Sequence, residues 1–397
     1  MRHRFTKVLL AAAFFVLLGG TATVAARSHH AAASSYNVGI IYSRTGLLAA
    51  YGAEEIEGFK YGLKYATNGT NKVDGKTLNV TYVDDKTDAA TAVNAAKDLI
   101  GQGYKIIGGT DSSGIALQVA PLAAQNHILY VSGPAASDAI TGVNKYTFRA
   151  GRQTTQDVLA ASSYLKGAGK KVVVFNQDSV FGHGNFAAVR NVIGGKGHTV
   201  SEISVPLTAT DFTPFAQQLK NANADLIFVA WAGTTAAAMY KALDQQNVFS
   251  GSADIVTGLP ERATWQGFGD ATTKIHFLSH YVYTAPASKV NDWLVQQMRK
   301  RSQAPDIFTP DGFVMAQMIV HALQTAKSDD PDKMVAALEG YKFLAPKGIQ
   351  AIRPQDHAML QPMFRVKLVS KNGRFVPLLL GTANTYATAP AVAAMRG

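Results

Sequence analysis

From Tyr36 onward, short β-branched runs alternate with stretches in which apolar residues recur every three to four positions. Residues 37–42 (NVGIIY) read as a buried strand. Residues 53–68 read as an amphipathic helix, with Ile56, Phe59 and Leu63 on one face. Asp74-Gly75 is a turn signal leading into a strand over 78–83. Asp88 stands where an N-cap belongs, before a helix ending at Gly101. A strand at 106–107, a helix capped by Ser112 or Ser113 and running to about Gln125, and a strand over 128–131 follow. A second series repeats the rhythm, with strands over 172–175, 200–205 and 226–230 and helices over 185–193, 212–223 and from Thr234. Beyond about Tyr283 the pattern turns helical (290–302, 311–326, 330–340) and ends in strand-like pieces around 364–369. Such alternation predicts an α/β chain with mostly parallel sheets flanked by helices, and two series imply two lobes. In such sheets ligands bind at the carboxyl ends of strands, where helix N-termini present free N–H groups.

The N-terminus departs from this rhythm. Arg2, Arg4 and Lys7 precede an apolar run over 8–18, followed by small residues to Ala26, the order of a cleaved secretory signal peptide. That run is shorter than the roughly 18–20 residues that span a bilayer. We therefore expect a signal peptide over 1–26, a loose leader over 27–35 and a protein exported to a periplasm. Losing the three cations lowers the formal net charge from +11 to +8. The remaining basic residues are dispersed, with Arg299-Lys300-Arg301 as one small run, so no nucleic-acid partner is expected. The absence of cysteine excludes disulfides, thiolate metal sites, cysteine nucleophiles and a lipidated cysteine anchor.

The candidate chemistry centres on the loop Gly108-Gly109-Thr110-Asp111-Ser112-Ser113-Gly114, which follows a strand and opens a helix. Its glycines permit close backbone approach, and its amides and hydroxyls suit a small carboxylate. Either serine could equally be a cap, and the loop lacks the G-x-S-x-G elbow of a serine hydrolase. The stretch Gly194 to His198 lacks P-loop spacing, the ten histidines form no compact ligand pattern, and His183 reads as a loop residue. Asp84-Asp85 would face opposite sides of a strand, which suits a structural role better than a paired acid and base. No cofactor or metal is expected.

Several short phrases occur in a telling order. They are Ser43-Arg44-Thr45-Gly46 with Tyr51-Gly52, then Asp84-Asp85, Ser112-Ser113-Gly114 and Ser132-Gly133-Pro134-Ala135-Ala136. Asp178 through Gly182, Thr210-Asp211-Phe212, residues 224–228 and residues 352–357 follow. In this order the chain resembles the periplasmic leucine/isoleucine/valine-binding proteins, solute receptors of branched-chain amino-acid-type ABC transporters. The resemblance implies a type I periplasmic-binding fold with a three-strand hinge. Lobe I would comprise 36–152 plus 284–347, and lobe II 153–283 plus 348–397. It also implies a monomer without enzymatic activity that closes on a small organic ligand, an amino acid or related carboxylate, and delivers it to a membrane permease. In such proteins the ligand carboxylate meets the serine and Pro-Ala-Ala loops, here Ser112, Ser113, Pro134, Ala135 and Ala136. Tyr51 would line the side-chain pocket, with Phe181, Trp231 and Glu261 on the second lobe, Glu261 near the position that receives a ligand ammonium. Phe181 stands where a tyrosine is usual and Ala136 where a hydroxyl is common, so carboxylates without an ammonium group fit as well, with Arg44 or Arg262 as possible counter-charges. A ligand-sensing regulator of the same fold and an exported hydrolase are the competing classes.

Overall fold

The computed structural model describes residues 35–396; the expected signal peptide and nearly all of the leader lie outside them. The first lobe begins with β1 (Ser35–Tyr42), α1 (Ala49–Ala66), β2 (Lys72–Val73), β3 (Lys76–Asp84), α2 (Ala89–Gly101), β4 (Ile106–Gly109), α3 (Ser113–Asn126), β5 (Leu129–Ser132) and β6 (Thr147–Arg149). Its sheet runs β2-β3-β1-β4-β5-β6, parallel except for the β2–β3 hairpin at Asp74-Gly75. Strands β4 and β5 are buried throughout, so their sequences read as unbroken apolar runs rather than alternating ones. Asp88 caps α2, its side chain accepting from the Thr91 amide.

The chain then crosses into α4 (Thr154–Ala161), β7 (Lys171–Gln177), α5 (Val180–Val192), β8 (Thr199–Val205), α6 (Thr213–Asn221), β9 (Leu226–Ala230), α7 (Ala236–Gln245), β10 (Asp254–Gly258) and β11 (Ile275–Ser279). These five strands are mutually parallel where they pair. Helix α5 starts five residues before the expected point because the Ser179 hydroxyl accepts from the Gly182 amide and caps it. His183 therefore lies on a helix, not in a loop, between Asp178 and Glu202 at 2.8 and 3.0 Å.

The chain returns through α8 (Lys289–Arg299), α9 (Thr309–Ala326), α10 (Pro331–Leu338) and a small antiparallel sheet of β12 (Lys342–Ala345), β13 (Gly348–Ile352) and β14 (Met359–Leu360). Helices α1 and α9 cross in backbone contact. A Cβ on Gly58 would lie 1.8 Å from the Thr309 carbonyl oxygen, and one on Gly312 1.8 Å from that of Glu55. Strands β15 (Met363–Lys371) and β16 (Arg374–Ala383) then complete the second sheet, in the order β16-β15-β11-β10-β9-β7-β8.

This path corrects the expected lobe boundaries. Phe343, Ile352 and Met359 pack into the first lobe's core, so the small sheet belongs there, and the chain re-enters the second lobe only at β15. Beyond β16 the tail returns to the first lobe. The Arg353–Asp356 ion pair anchors it, with Arg353 Nη1 donating to the Pro390 carbonyl at 2.7 Å and the Ala393 amide to Asp356 at 2.9 Å. The three expected passages between lobes are thus joined by a fourth. Among the described residues no helix is long and apolar enough to cross a membrane.

Candidate functional site

A cavity of about 390 Å³ lies between the two lobes at the carboxyl ends of their strands. Eight of the nine expected residues line it: Tyr51, Ser112, Ser113, Pro134, Ala136, Phe181, Trp231 and Glu261. Ala135 does not. Its side chain is packed with Ala116 and Ile140, and its carbonyl accepts from the buried Arg149 guanidinium at 2.8 Å, because that cation gathers the carbonyls of the loop beneath the cavity.

One end of the cavity is a set of donors. Ser112 is the N-cap of α3 in extended conformation, yet its hydroxyl makes no capping bond, leaving first-turn amides and the hydroxyl available. Ser113 is buried, and its oxygen accepts from the Ser137 amide at 3.1 Å; it pins the Pro134–Ala136 loop and keeps its own proton to give. Arg152, which the sequence did not single out, also lines the cavity. It is held by Asp157 at 3.1 Å and the Pro134 carbonyl at 3.2 Å. The other candidate cations do not serve here. Arg44 is two-thirds exposed beside Asp84, and Arg262 is spent on Asp306 and the Ala304 carbonyl.

The body of the cavity is aromatic. Tyr51 packs on Phe308 with ring centroids 4.3 Å apart. Across the gap Trp231 stacks on Phe175 at 5.6 Å, meets Phe212 edge-on at 5.4 Å and donates from its indole to Thr235 at 3.0 Å. Phe181, on the first turn of α5, is half-buried. Burial raises the Glu261 carboxyl above the usual range, and Asp306 adds to the effect.

Beneath the donor end lies a pair of acids. Asp111 Oδ2 accepts from the Ser43 amide at 2.9 Å, while its Oδ1 and both oxygens of fully buried Glu55 have no other partner. Burial pushes both up, Asp111 to about 8, so the pair favours its protonated forms. Asp85 accepts from the Ser43 hydroxyl at 2.8 Å and the Thr87 amide at 2.7 Å, and Asp84 from Thr45 at 2.8 Å; both carboxylates fix loops. At the hinge, buried Asp311 pairs with Lys347 and sits 3.4 Å from His280, which lines the cavity. Lys347 also donates to Gln361 at 2.7 Å.

The lobes meet directly at the cavity's mouth. The Thr234 amide donates to the Leu47 carbonyl at 3.2 Å, and the Gly233 amide to the Tyr51 hydroxyl at 3.2 Å. Gly233 has φ +83°, and a Cβ there would lie 2.5 Å from the Leu47 carbonyl oxygen. Arg152, Phe308, His280 and Leu47 are site residues that sequence reasoning missed. Arg152, His280 and Phe308 enter from hinge passages or a loop distant in sequence, where no local pattern marks them, whereas Leu47 lies between the Gly46 and Tyr51 phrases. Among the described residues no cluster of three or more acids and histidines is arranged to hold a metal.

The periplasmic binding protein family model matches residues 35–374. The chain is 25% identical over 308 residues to Leu/Ile/Val-binding protein homolog 3 of Brucella melitensis, covering 75% of this chain and 81% of that protein. An ABC-type branched-chain amino acid transporter structure from Rhodopseudomonas palustris CGA009 aligns at a TM-score of 0.76 with 30% identity, covering 91% of this chain and all of that one. A solute-binding protein of Rhodopseudomonas palustris BisB5 in complex with 3,4-dihydroxybenzoic acid shares the fold at a TM-score of 0.80 and 24% identity, covering 89% and 98%. With two lobes, a ligand-sized cleft between them and a family match over almost the whole described chain, this protein belongs to the periplasmic binding protein family.

Proposed function

We propose that the chain is the exported solute-binding component of an ABC importer, working as a monomer without turnover. Its ligand is a small organic carboxylate with an apolar or aromatic body. The observation that carries this reading is the polarity of the cavity, with unused donors at Ser112 and the α3 N-terminus at one end and aromatic walls from both lobes along the rest. Leu/Ile/Val-binding relatives and a benzoate-bound neighbour of the same fold support that ligand range.

Magnitudes assign the roles. A helix N-terminus contributes about 0.3–1 kcal/mol to holding an anion, and at most about 2. Micromolar affinity requires about 8 kcal/mol. Burial of the ligand's apolar part, at ~25 cal/mol per Å² before association costs, supplies the larger share. The donors therefore orient the ligand and the aromatic walls hold it. Because those walls belong to different lobes, the ligand binds the closed arrangement better than an open one and shifts the population toward it, which is the signal a permease reads.

Calorimetry with leucine, valine, benzoate and 4-hydroxybenzoate tests the reading. Micromolar binding of at least one, with no turnover on prolonged incubation, is expected. Failure of all four, or hydrolysis of a corresponding ester or amide that Ser112→Ala abolishes, overturns it.

A further inference from the structure

The hinge wall of the cleft carries an acceptor that a carboxylate cannot use. His280 follows β11 where the chain turns back to the first lobe. It is more than nine-tenths buried and lines the cavity beside Phe308, with ring centroids 5.4 Å apart. Its Nε2 is enclosed 3.4 Å from Asp311 Oδ2, and neither atom has another hydrogen-bond partner.

The acid settles where the ring proton resides. Lys347 donates to the other oxygen of Asp311, and against the upward push of burial this ammonium holds the carboxyl down at about 2. An ionised carboxylate only accepts, so the proton belongs on Nε2; the other tautomer would set two enclosed lone pairs against each other. Burial lowers His280 to about 4, so the ring takes no second proton at neutral pH. Nδ1 is therefore a bare lone pair. Among the described residues it has no partner, and unlike Nε2 it is not enclosed, so it opens into the cleft that the ring lines.

The surrounding charges decide what this lone pair receives. The two carboxylates on this wall are already matched, Asp157 by Arg152 at 3.1 Å and Asp311 by Lys347. Beneath them Arg149 meets only carbonyls and the Thr141 hydroxyl, so no negative charge is left over here for a ligand ammonium. A hydroxyl brings a proton and no charge. When the lobes close, a ligand without one strips water from Nδ1 and replaces it with nothing, and such a site discriminates against the analogue that lacks the donor. We propose that His280 is a specificity-determining residue of the cleft whose Nδ1 accepts from a ligand hydroxyl, which narrows the ligand to hydroxylated carboxylates and rests on the carboxylate reading of the donor end. Ser112 and the α3 amides take the carboxylate, and His280 fixes the ligand at a second point.

Calorimetry on matched pairs tests this, with benzoate against its 2-, 3- and 4-hydroxy derivatives and 4-methylpentanoate against 2-hydroxy-4-methylpentanoate. At least one hydroxylated acid should bind about tenfold tighter than its parent. His280→Gln still reaches Asp311 but lacks the lone pair at the Nδ1 position, so it should bring that ratio to within twofold of one. His280→Asn, whose amide oxygen occupies the Nδ1 position, should retain a preference. Nitrogen-15 NMR of histidine-labelled wild-type protein needs no variant to fold: the His280 Nδ1 resonance should be that of an unprotonated nitrogen and should move with the hydroxylated acid but not with its parent. Parent acids that bind as tightly as every hydroxylated one, a ratio that survives His280→Gln, or a protonated or unmoved Nδ1 overturns the role of His280 alone. Failure of every acid to bind overturns the carboxylate reading with it.

Discussion

Ser112 and Glu261 stand at opposite sides of the cleft and do different work. Ser112 offers a hydroxyl that no protein group uses, so Ser112→Ala should weaken binding of any carboxylate about tenfold, the loss of one charge-assisted hydrogen bond, as read by calorimetry. Glu261 matters only to a ligand with an ammonium group. Burial raises its pKa and a ligand ammonium would favour its charged form, so Glu261→Gln should weaken an α-amino acid, as read by calorimetry. For an aromatic acid without an ammonium, Glu261→Gln should leave affinity within twofold.

Two buried groups near the cleft make stability depend on pH with opposite slopes. Burial lowers His280 from the ordinary 6.5 to about 4, so between those values the unfolded chain takes up a proton that the folded protein refuses, and stability falls as the solution is acidified. Asp111 behaves in reverse. Burial raises it from 3.8 to about 8, so the stability supplied by its proton is complete below 3.8 and lost as pH climbs toward 8. Between about pH 4 and 6.5 the two slopes oppose one another, and above 6.5 that of Asp111 stands alone. His280→Gln should therefore steepen the decline of melting temperature with rising pH between about 4 and 6.5, and Asp111→Asn should remove the decline up to about pH 8. Identical profiles for all three proteins would show that neither group titrates as described.

Among the elements, the α1–α9 crossing is a joint with no room to spare. With Gly58 already touching the Thr309 carbonyl, Gly58→Ala must push the helices apart. We expect a loss of about 1–3 kcal/mol in urea unfolding, with the second lobe's core unaffected. The contrast between joint and strands explains how much the sequence disclosed. Strands such as β4, β5, β7 and β9 are buried on both faces, and their continuous apolar residues announce them. Strands β10 and β11 carry Thr257, His276 and Ser279 within five-residue stretches, and their pairing with distant neighbours overrides that mixed pattern. Helix α5 hid its first turn behind Gly182 and Gly184, which read as a loop, although a Cβ on Gly182 would lie 1.9 Å from the Gln177 carbonyl oxygen. The site divides in the same way. Ser112, Ser113 and Tyr51 sit in local phrases that can be read, whereas Arg152, His280 and Phe308 become site residues only when the chain has crossed between lobes. Ala135 shows the limit of a phrase, because neighbouring positions in one loop turn to opposite sides.

For the whole molecule, the decisive contact is the one at the mouth, where Gly233 and Thr234 of the second lobe reach Leu47 and Tyr51 of the first. It bridges the lobes by protein atoms alone, so it lowers the free-energy difference that a ligand must supply to favour closure. A methyl group at position 233 would collide with the Leu47 carbonyl and also meet the positive φ there. Gly233→Ala should weaken binding of every cleft ligand by a similar factor, about tenfold, without changing their order of preference, and should enlarge the radius of gyration of the ligand-free protein in small-angle scattering. A change in ligand ranking by this variant would place Gly233 in direct recognition instead.

Trp231 sits at this same frontier, half-buried, wedged between Phe175 and Phe212 and tethered through its indole nitrogen. Trp265 is enclosed in the second core, and Trp293 lies on another face. Occupancy of the cleft strips water from one indole and leaves the other two in place. The protein thus carries its own optical gauge: a blue shift in emission that vanishes in Trp231→Phe counts filled molecules without any attached dye.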